Sequence, residues 1–209
     1  MLRMKPKSQS PARRRPKQRR ARETVEAILD AVTKILKREG SQALTTNRIA
    51  DVAGVSIGSL YQYFPDKRAI FIALHRRHIE QMDRLVERTL VEHATSPLED
   101  LMRAMVNAMI DAHSGDPEFY QLLMVEVPHR ADGSQDFAVR LDGAFRLAIA
   151  AKGRSRTENE LDKAAFVVAN MMDGLCHGAV LRRPAKVSLR EAKDEIVRAL
   201  LAYLRSPEG

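Results

Sequence analysis

The chain of 209 residues holds one cysteine, Cys176, and no tryptophan. A lone thiol excludes an internal disulfide and a thiolate zinc site, and it suits a reducing interior. Aromatic residues are 5% of the chain, too few for an aromatic-rich β-sandwich. No run of about 18 apolar residues is read, so no membrane span is expected. No Gly-rich phosphate loop occurs either, since Gly174 and Gly178 fall inside a helical pattern. Acid is missing from residues 1–22.

That N-terminal stretch carries ten basic residues: Arg3, Lys5, Lys7, Arg13, Arg14, Arg15, Lys17, Arg19, Arg20 and Arg22. The chain has 35 Lys and Arg against 27 Asp and Glu, so the body keeps 25 bases and is slightly acidic. The excess positive charge is therefore an N-terminal property, and such an arm meets a polyanion. It does not read as a signal peptide, because Pro6, Pro11 and Pro16 interrupt it and no apolar segment follows. Residues 1–20 are expected to be a disordered basic arm.

Apolar residues at 44% and charged residues at 30% describe a globular body. Val25, Ile28, Leu29, Val32, Ile35 and Leu36 form one helical stripe, which Gly40 ends. Short helices follow over about 46–53 and 56–64, then a long one after the Asp66 cap. Further helices are expected over about 97–113, 117–128, 136–151, 158–182 and 189–204, the last capped by Ser188. No convincing alternating strand and no repeat appears. The prediction is an all-α fold of about nine helices, with a helix-turn-helix domain over 21–80 and a second helical domain over 81–205.

The stretch from Thr45 to Phe64 has the build of a helix-turn-helix. Ile49 and Val52 give the first helix an inward face, and Ala50 and Ala53 let the second cross closely. Gly54 suits a positive φ at the turn, and Ser56 suits an N-cap. Val55 and Leu60 have the spacing of a hydrophobic staple. What remains outward is Ser56, Ile57, Gly58, Ser59, Tyr61, Gln62 and Tyr63, with no acid among them. Ile57 can meet a thymine methyl, Gln62 an adenine edge, and the tyrosines phosphate or sugar. Thr45, Thr46 and Lys67 stand at helix starts, where a partner anion is welcome.

Residues 20–80 resemble the DNA-binding region of TetR-family transcriptional regulators. The resemblance is carried by Val25 to Leu36, Gly40, Thr45-Thr46, Ile49-Ala50, Ala53-Gly54-Val55-Ser56, Gly58 to Phe64, and Lys67. It implies a bacterial or archaeal, cytoplasmic homodimer that binds a double-stranded DNA operator and commonly represses transcription until a small ligand binds. The corresponding DNA contacts are Thr46, Ser56, Ile57, Gly58, Ser59, Tyr61, Gln62, Tyr63 and Lys67. The apolar Ile57 and the long basic arm depart from the family's usual pattern.

The C-terminal body carries little chemistry. His75 and His78, flanked by Arg76 and Arg77, read as a solvated face rather than a metal site. Cys176 and His177 read as core, with Asp173 and His177 a polar pair on one helix face. No metal, cofactor, catalytic set or membrane partner is expected. The family resemblance implies an effector cavity for an apolar or amphipathic ligand, with Met105, Met109, His113, Phe119, Met124, Phe145, Asn170, Asp173 and His177 as candidate lining. A dimer interface is expected on the last two helices, through Gly174, Gly178, Ile196, Leu200 and Tyr203. Rival readings are a helical enzyme, which would need a carboxylate or His constellation, and a basic-arm adaptor on membrane or RNA.

Overall fold

A computed structural model describes residues 14–127, 134–152 and 156–206. Among them every regular element is helical. The helices are α1 (Arg14–Glu39), α2 (Thr46–Ala53), α3 (Ile57–Tyr63), α4 (Lys67–Glu92), α5 (Leu98–Ser114), α6 (Pro117–Glu126), α7 (Ser134–Lys152), α8 (Glu158–Leu181) and α9 (Leu189–Arg205), with one 3-10 turn at Ser41–Ala43. The all-α expectation and the helix order hold.

One boundary differs. Helix α1 starts at Arg14, so residues 14–20 are helical rather than part of a disordered arm. Pro16 lies in the first turn, where its missing N–H would have had no intrahelical partner anyway. Proline there does not break the helix. The rest of the expected arm, residues 1–13, lies outside the described residues.

The chain divides into two compact units, Met1–Ile70 and Phe71–Gly209. The division falls inside α4, earlier in the chain than the expected boundary near residue 80.

In the first unit, Ile28, Leu29, Val32, Ile35 and Leu36 of α1 are buried with Leu44, Ile49, Ala50, Leu60, Phe64 and Ile70. Each short helix starts at a polar cap. Thr45 accepts from the Arg48 amide, and Ser56 accepts from the Ser59 amide. Gly54 ends α2 with φ 69°, in the left-handed region that favours glycine. Arg48 fastens the C-terminal end of α1 to α2: its Nε and Nη2 reach Glu39 at 3.0 and 2.7 Å, and its Nη1 reaches Asp51 at 2.7 Å.

The second unit builds its core from α4, α5, α7, α8 and α9. Met102, Met105, Val106, Ile110, Phe145, Ile149, Val168, Met172 and Leu200 are fully buried there. Capping boxes start α8 (Thr157 with Glu160) and α9 (Ser188 with Glu191). Helix α8 is long and apolar enough on average to cross a membrane by length and composition, although Asn170, Asp173 and His177 interrupt it, so it holds no unbroken apolar run of the kind the sequence was expected to lack. Core packing accounts for its apolarity: Leu161, Ala164, Ala165, Val168, Ala169, Met172 and Cys176 are buried against neighbouring helices.

Candidate functional site

Helix α3 is held from beneath and bare on top. Leu60 is fully buried and Phe64 nearly so, whereas Ile57, Tyr61 and Tyr63 are 39, 48 and 38% exposed. Gln62, Ser56 and Gly58 are exposed too, and Ser59 is half-buried. From Gly54 to Pro65 there is no charged side chain of either sign. This is an uncharged, hydroxyl-rich and aromatic ledge. Water does not require such a surface; a folded helix exposed only to solvent usually carries charge.

The hydroxyls of the ledge are not equivalent. Ser56 Oγ accepts from the Ser59 amide at 3.0 Å and donates to Ser59 Oγ at 2.9 Å. Thr45 Oγ1 is taken by the Arg48 amide at 3.1 Å. Both therefore shape the helix starts before they meet anything else. Thr46 Oγ1 and Tyr61 Oη lie 3.2 Å apart, tying the start of α2 to the outer face of α3. Tyr61 is thereby pre-oriented without being buried. Lys67, at the start of α4, is half-buried.

Gly58 has an ordinary helical φ, and an added Cβ would meet only Ser56 Oγ at 3.9 Å. Nothing within the described chain demands glycine there, and glycine costs a helix about 1 kcal/mol relative to alanine. The space above Gly58 is therefore available to an approaching molecule.

The second unit contains a cavity of about 320 Å³. Of the expected lining residues, Met109, His113, Met124, Asn170, Asp173 and His177 border it. Met105 and Phe145 do not; they are packed in the helical core, at 0 and 1% exposure. Phe119 is half-buried and does not border it either. The remaining lining includes His75, His78, Ile79, Met82, Tyr120, Phe137, Asp142 and Phe166.

The placement of His75 and His78 corrects the reading of a solvated face. His75 is buried, and His78 joins His113, Tyr120 and His177 in a ring cluster with centroid separations from 4.1 to 5.7 Å. His113 Nδ1 lies 2.6 Å from the Met109 carbonyl. A carbonyl only accepts, so Nδ1 carries the proton and the neutral ring's Nε2 is an acceptor. His78 Nε2 then donates to it across 3.2 Å. Burial lowers the imidazoles of His78 and His177 to about 3 and about 4, and it lowers His113 as well. All three are neutral at pH 7. The Tyr120 hydroxyl is buried without a hydrogen-bond partner. Among the described residues no three His, Cys, Asp or Glu are arranged to hold a metal ion. Cys176 is buried, which pushes its thiol up to about 12 and leaves it unreactive.

The expected dimer residues separate into two groups. Gly174 is exposed, and Gly178 and Tyr203 are half-buried. Ile196 and Leu200, at 6 and 0% exposure, belong to the chain's own core, so their expected interface role is corrected. Helix α9 packs against both α5 and α8 and uses a wide apolar stripe for that purpose. On α8, Phe166 and Leu175 remain 59 and 40% exposed.

Comparison with known proteins agrees with this arrangement. Residues 28–74 match the family described as bacterial regulatory proteins, tetR family. Residues 97–204 match the tetracyclin repressor-like C-terminal domain. The chain is 27% identical over 193 residues to the HTH-type transcriptional repressor AcnR of Corynebacterium efficiens, covering 87% of this chain and 92% of that protein. It is 27% identical over 186 residues to the HTH-type transcriptional repressor KstR of Mycobacterium tuberculosis, covering 86 and 81% of the two chains. The fold is shared with the repressor FadR of Thermus thermophilus, solved in complex with lauroyl-CoA, at TM-score 0.63 and 19% identity over 88% of this chain and 97% of that one. With the C-terminal match alone spanning more than half of its length, the chain belongs to the tetR family of bacterial regulatory proteins, which govern transcription through a helix-turn-helix bound to DNA.

Proposed function

We propose that the protein is a cytoplasmic homodimeric repressor that holds a double-stranded DNA operator and releases it when a small effector occupies the C-terminal cavity. It acts by binding, not by catalysis. The observation that carries the reading is α3: anchored by Leu60 and Phe64, uncharged along its length, and presenting Ile57, Tyr61, Gln62 and Tyr63 outward. In the major groove, Gln62 reads an adenine edge and Ile57 a thymine methyl, while Gly58 and Ser59 let the backbone approach closely. Thr46, Tyr61, Tyr63 and Lys67 reach phosphate and sugar; Thr45 and Ser56 add their hydroxyls at the two helix starts. The basic N-terminal arm adds phosphate or minor-groove contacts.

Repression is supported by the relatives, of which AcnR and KstR are named repressors. Self-association through α8 and α9 is supported by the exposed Leu175 on α8, beside the small residues Gly174 and Gly178. A two-fold dimer presents two α3 helices to half-sites about 34–36 Å apart. The effector acts by binding the released state more tightly than the DNA-bound one; without that difference it would shift nothing. Protection mapping on the DNA upstream of the protein's own coding region tests the proposal. A protected two-fold-symmetric site, with its protection abolished in the Tyr61→Ala/Tyr63→Ala double variant, is the expected result. Equal binding of random duplex, anionic vesicles and structured RNA overturns it.

A further inference from the structure

Granted the effector role proposed above, the lining of the cavity restricts the charge of its occupant. None of its 17 described lining residues is Lys or Arg. Two are carboxylates, Asp142 and Asp173. The imidazoles of His78, His113 and His177, at the same wall, are neutral because burial disfavours their charged form. Asp142 is half-buried on α7, and among the described residues it has neither an ion pair nor a hydrogen bond. Loss of hydration raises its carboxyl, with no neighbouring charge acting on it. A partly desolvated carboxylate without a partner costs free energy that an entering cation recovers. An entering anion meets the opposite: two like charges and no cation to receive it. Aromatic rings complete the surroundings. Phe137, Phe166 and Tyr120 border the same space, and ring faces attract organic cations.

We propose that the effector is a lipophilic organic monocation, a quaternary ammonium or protonated amine on an apolar body. Its charge sits against Asp142 and Asp173, and its body lies among Met82, Met109, Phe137 and Phe166.

Three probes of equal chain and different head charge test this on the full-length protein: decyltrimethylammonium, decanol and decanoate, each below its micelle or solubility limit. Calorimetric titration of the DNA-free protein is expected to give one cation site per chain. Affinity should fall at least tenfold from cation to alcohol and further to carboxylate. Asp142→Asn should narrow the gap between cation and alcohol to less than threefold. The same variant should raise the melting temperature of the unliganded protein, because it removes an uncompensated carboxylate; a folded variant is thus recognised by its own stability. Equal affinity for all three probes, tighter binding of decanoate, no saturable cation binding, or an unchanged gap in Asp142→Asn would overturn the assignment. None of these outcomes depends on the operator, so they are separable from a failure of the DNA-binding reading, which the footprint alone decides.

Discussion

The buried imidazoles make the C-terminal unit acid-sensitive by an amount that the structure specifies. His78 and His177 ionise in the fold near about 3 and about 4, against 6.5 in the unfolded chain. Below pH 6.5 the unfolded chain takes up protons that the folded chain refuses. Stability is therefore full above pH 6.5 and falls as pH drops toward 4. Between pH 7 and pH 5 each imidazole that stays neutral in the fold removes on the order of 2 kcal/mol, so the two together remove roughly 4 kcal/mol. His113 shifts in the same direction and adds to the loss. The other titratable groups at the cavity are His75, Tyr120, Asp142 and Asp173. Asp142 acts in the opposite sense: its carboxyl is raised in the fold, so acid favours the folded state there. That single half-buried group offsets only part of the imidazole effect. A domain of this size has about 5–15 kcal/mol in total, so the predicted loss is a large fraction of it. Urea unfolding at pH 7, 6 and 5, followed by circular dichroism, measures it. The His78→Leu/His177→Leu double variant should lose at least half of the pH dependence. A wild-type stability that is flat from pH 7 to 5, or a dependence unchanged in the double variant, refutes the reasoning.

Three further predictions concern the N-terminal unit. Gly58→Ala should raise the stability of that unit by up to about 1 kcal/mol, since alanine fits the helix and meets nothing closer than 3.9 Å. The same substitution should weaken operator binding at least tenfold, because the methyl stands where the duplex approaches; thermal unfolding and a mobility-shift titration read the two effects separately. Arg48→Ala should lower the denaturation midpoint of the unit because it removes the paired bonds to Glu39 and Asp51, with Glu39→Gln giving a smaller loss along the same chemical-denaturation curve. Removal of residues 1–13 should leave α1 intact and reduce the slope of log affinity against log salt by about one for each phosphate that the arm no longer neutralises, a maximum of roughly four from Arg3, Lys5, Lys7 and Arg13. An unchanged slope in fluorescence anisotropy would remove the arm from the interface.

Much of the fold is legible from one dimension because helices and their caps are local. The 3.6-residue stripes of α1 and α5, the positive-φ glycines Gly40 and Gly54, and the caps Ser56 and Ser188 all act within a few residues of where they stand. The outward face of α3 is legible for the same reason: once Leu60 and Phe64 face inward, Tyr61 and Tyr63 face outward. The cavity is not. His75 and His78 sit beside Arg76 and Arg77, which imitates a solvated face, and their companions His113, Tyr120 and His177 are brought to them only by tertiary packing. Spacing within one helix carries no trace of that. Met105 and Met124 look alike in sequence, yet one fills the core and the other borders the cavity, a difference set by neighbouring helices. The wide stripe of α9 suggests an exposed interface; its own two flanking helices cover Ile196 and Leu200 instead.

Affinity for the upstream promoter fragment, compared between the wild-type chain and the Tyr61→Ala/Tyr63→Ala variant at matched salt, tests α3 as the reading element most directly. Neither side chain belongs to the buried core, so the variant should still fold cooperatively while its affinity falls at least a hundredfold. Duplex affinity that survives the removal of both rings would contradict the account at its root.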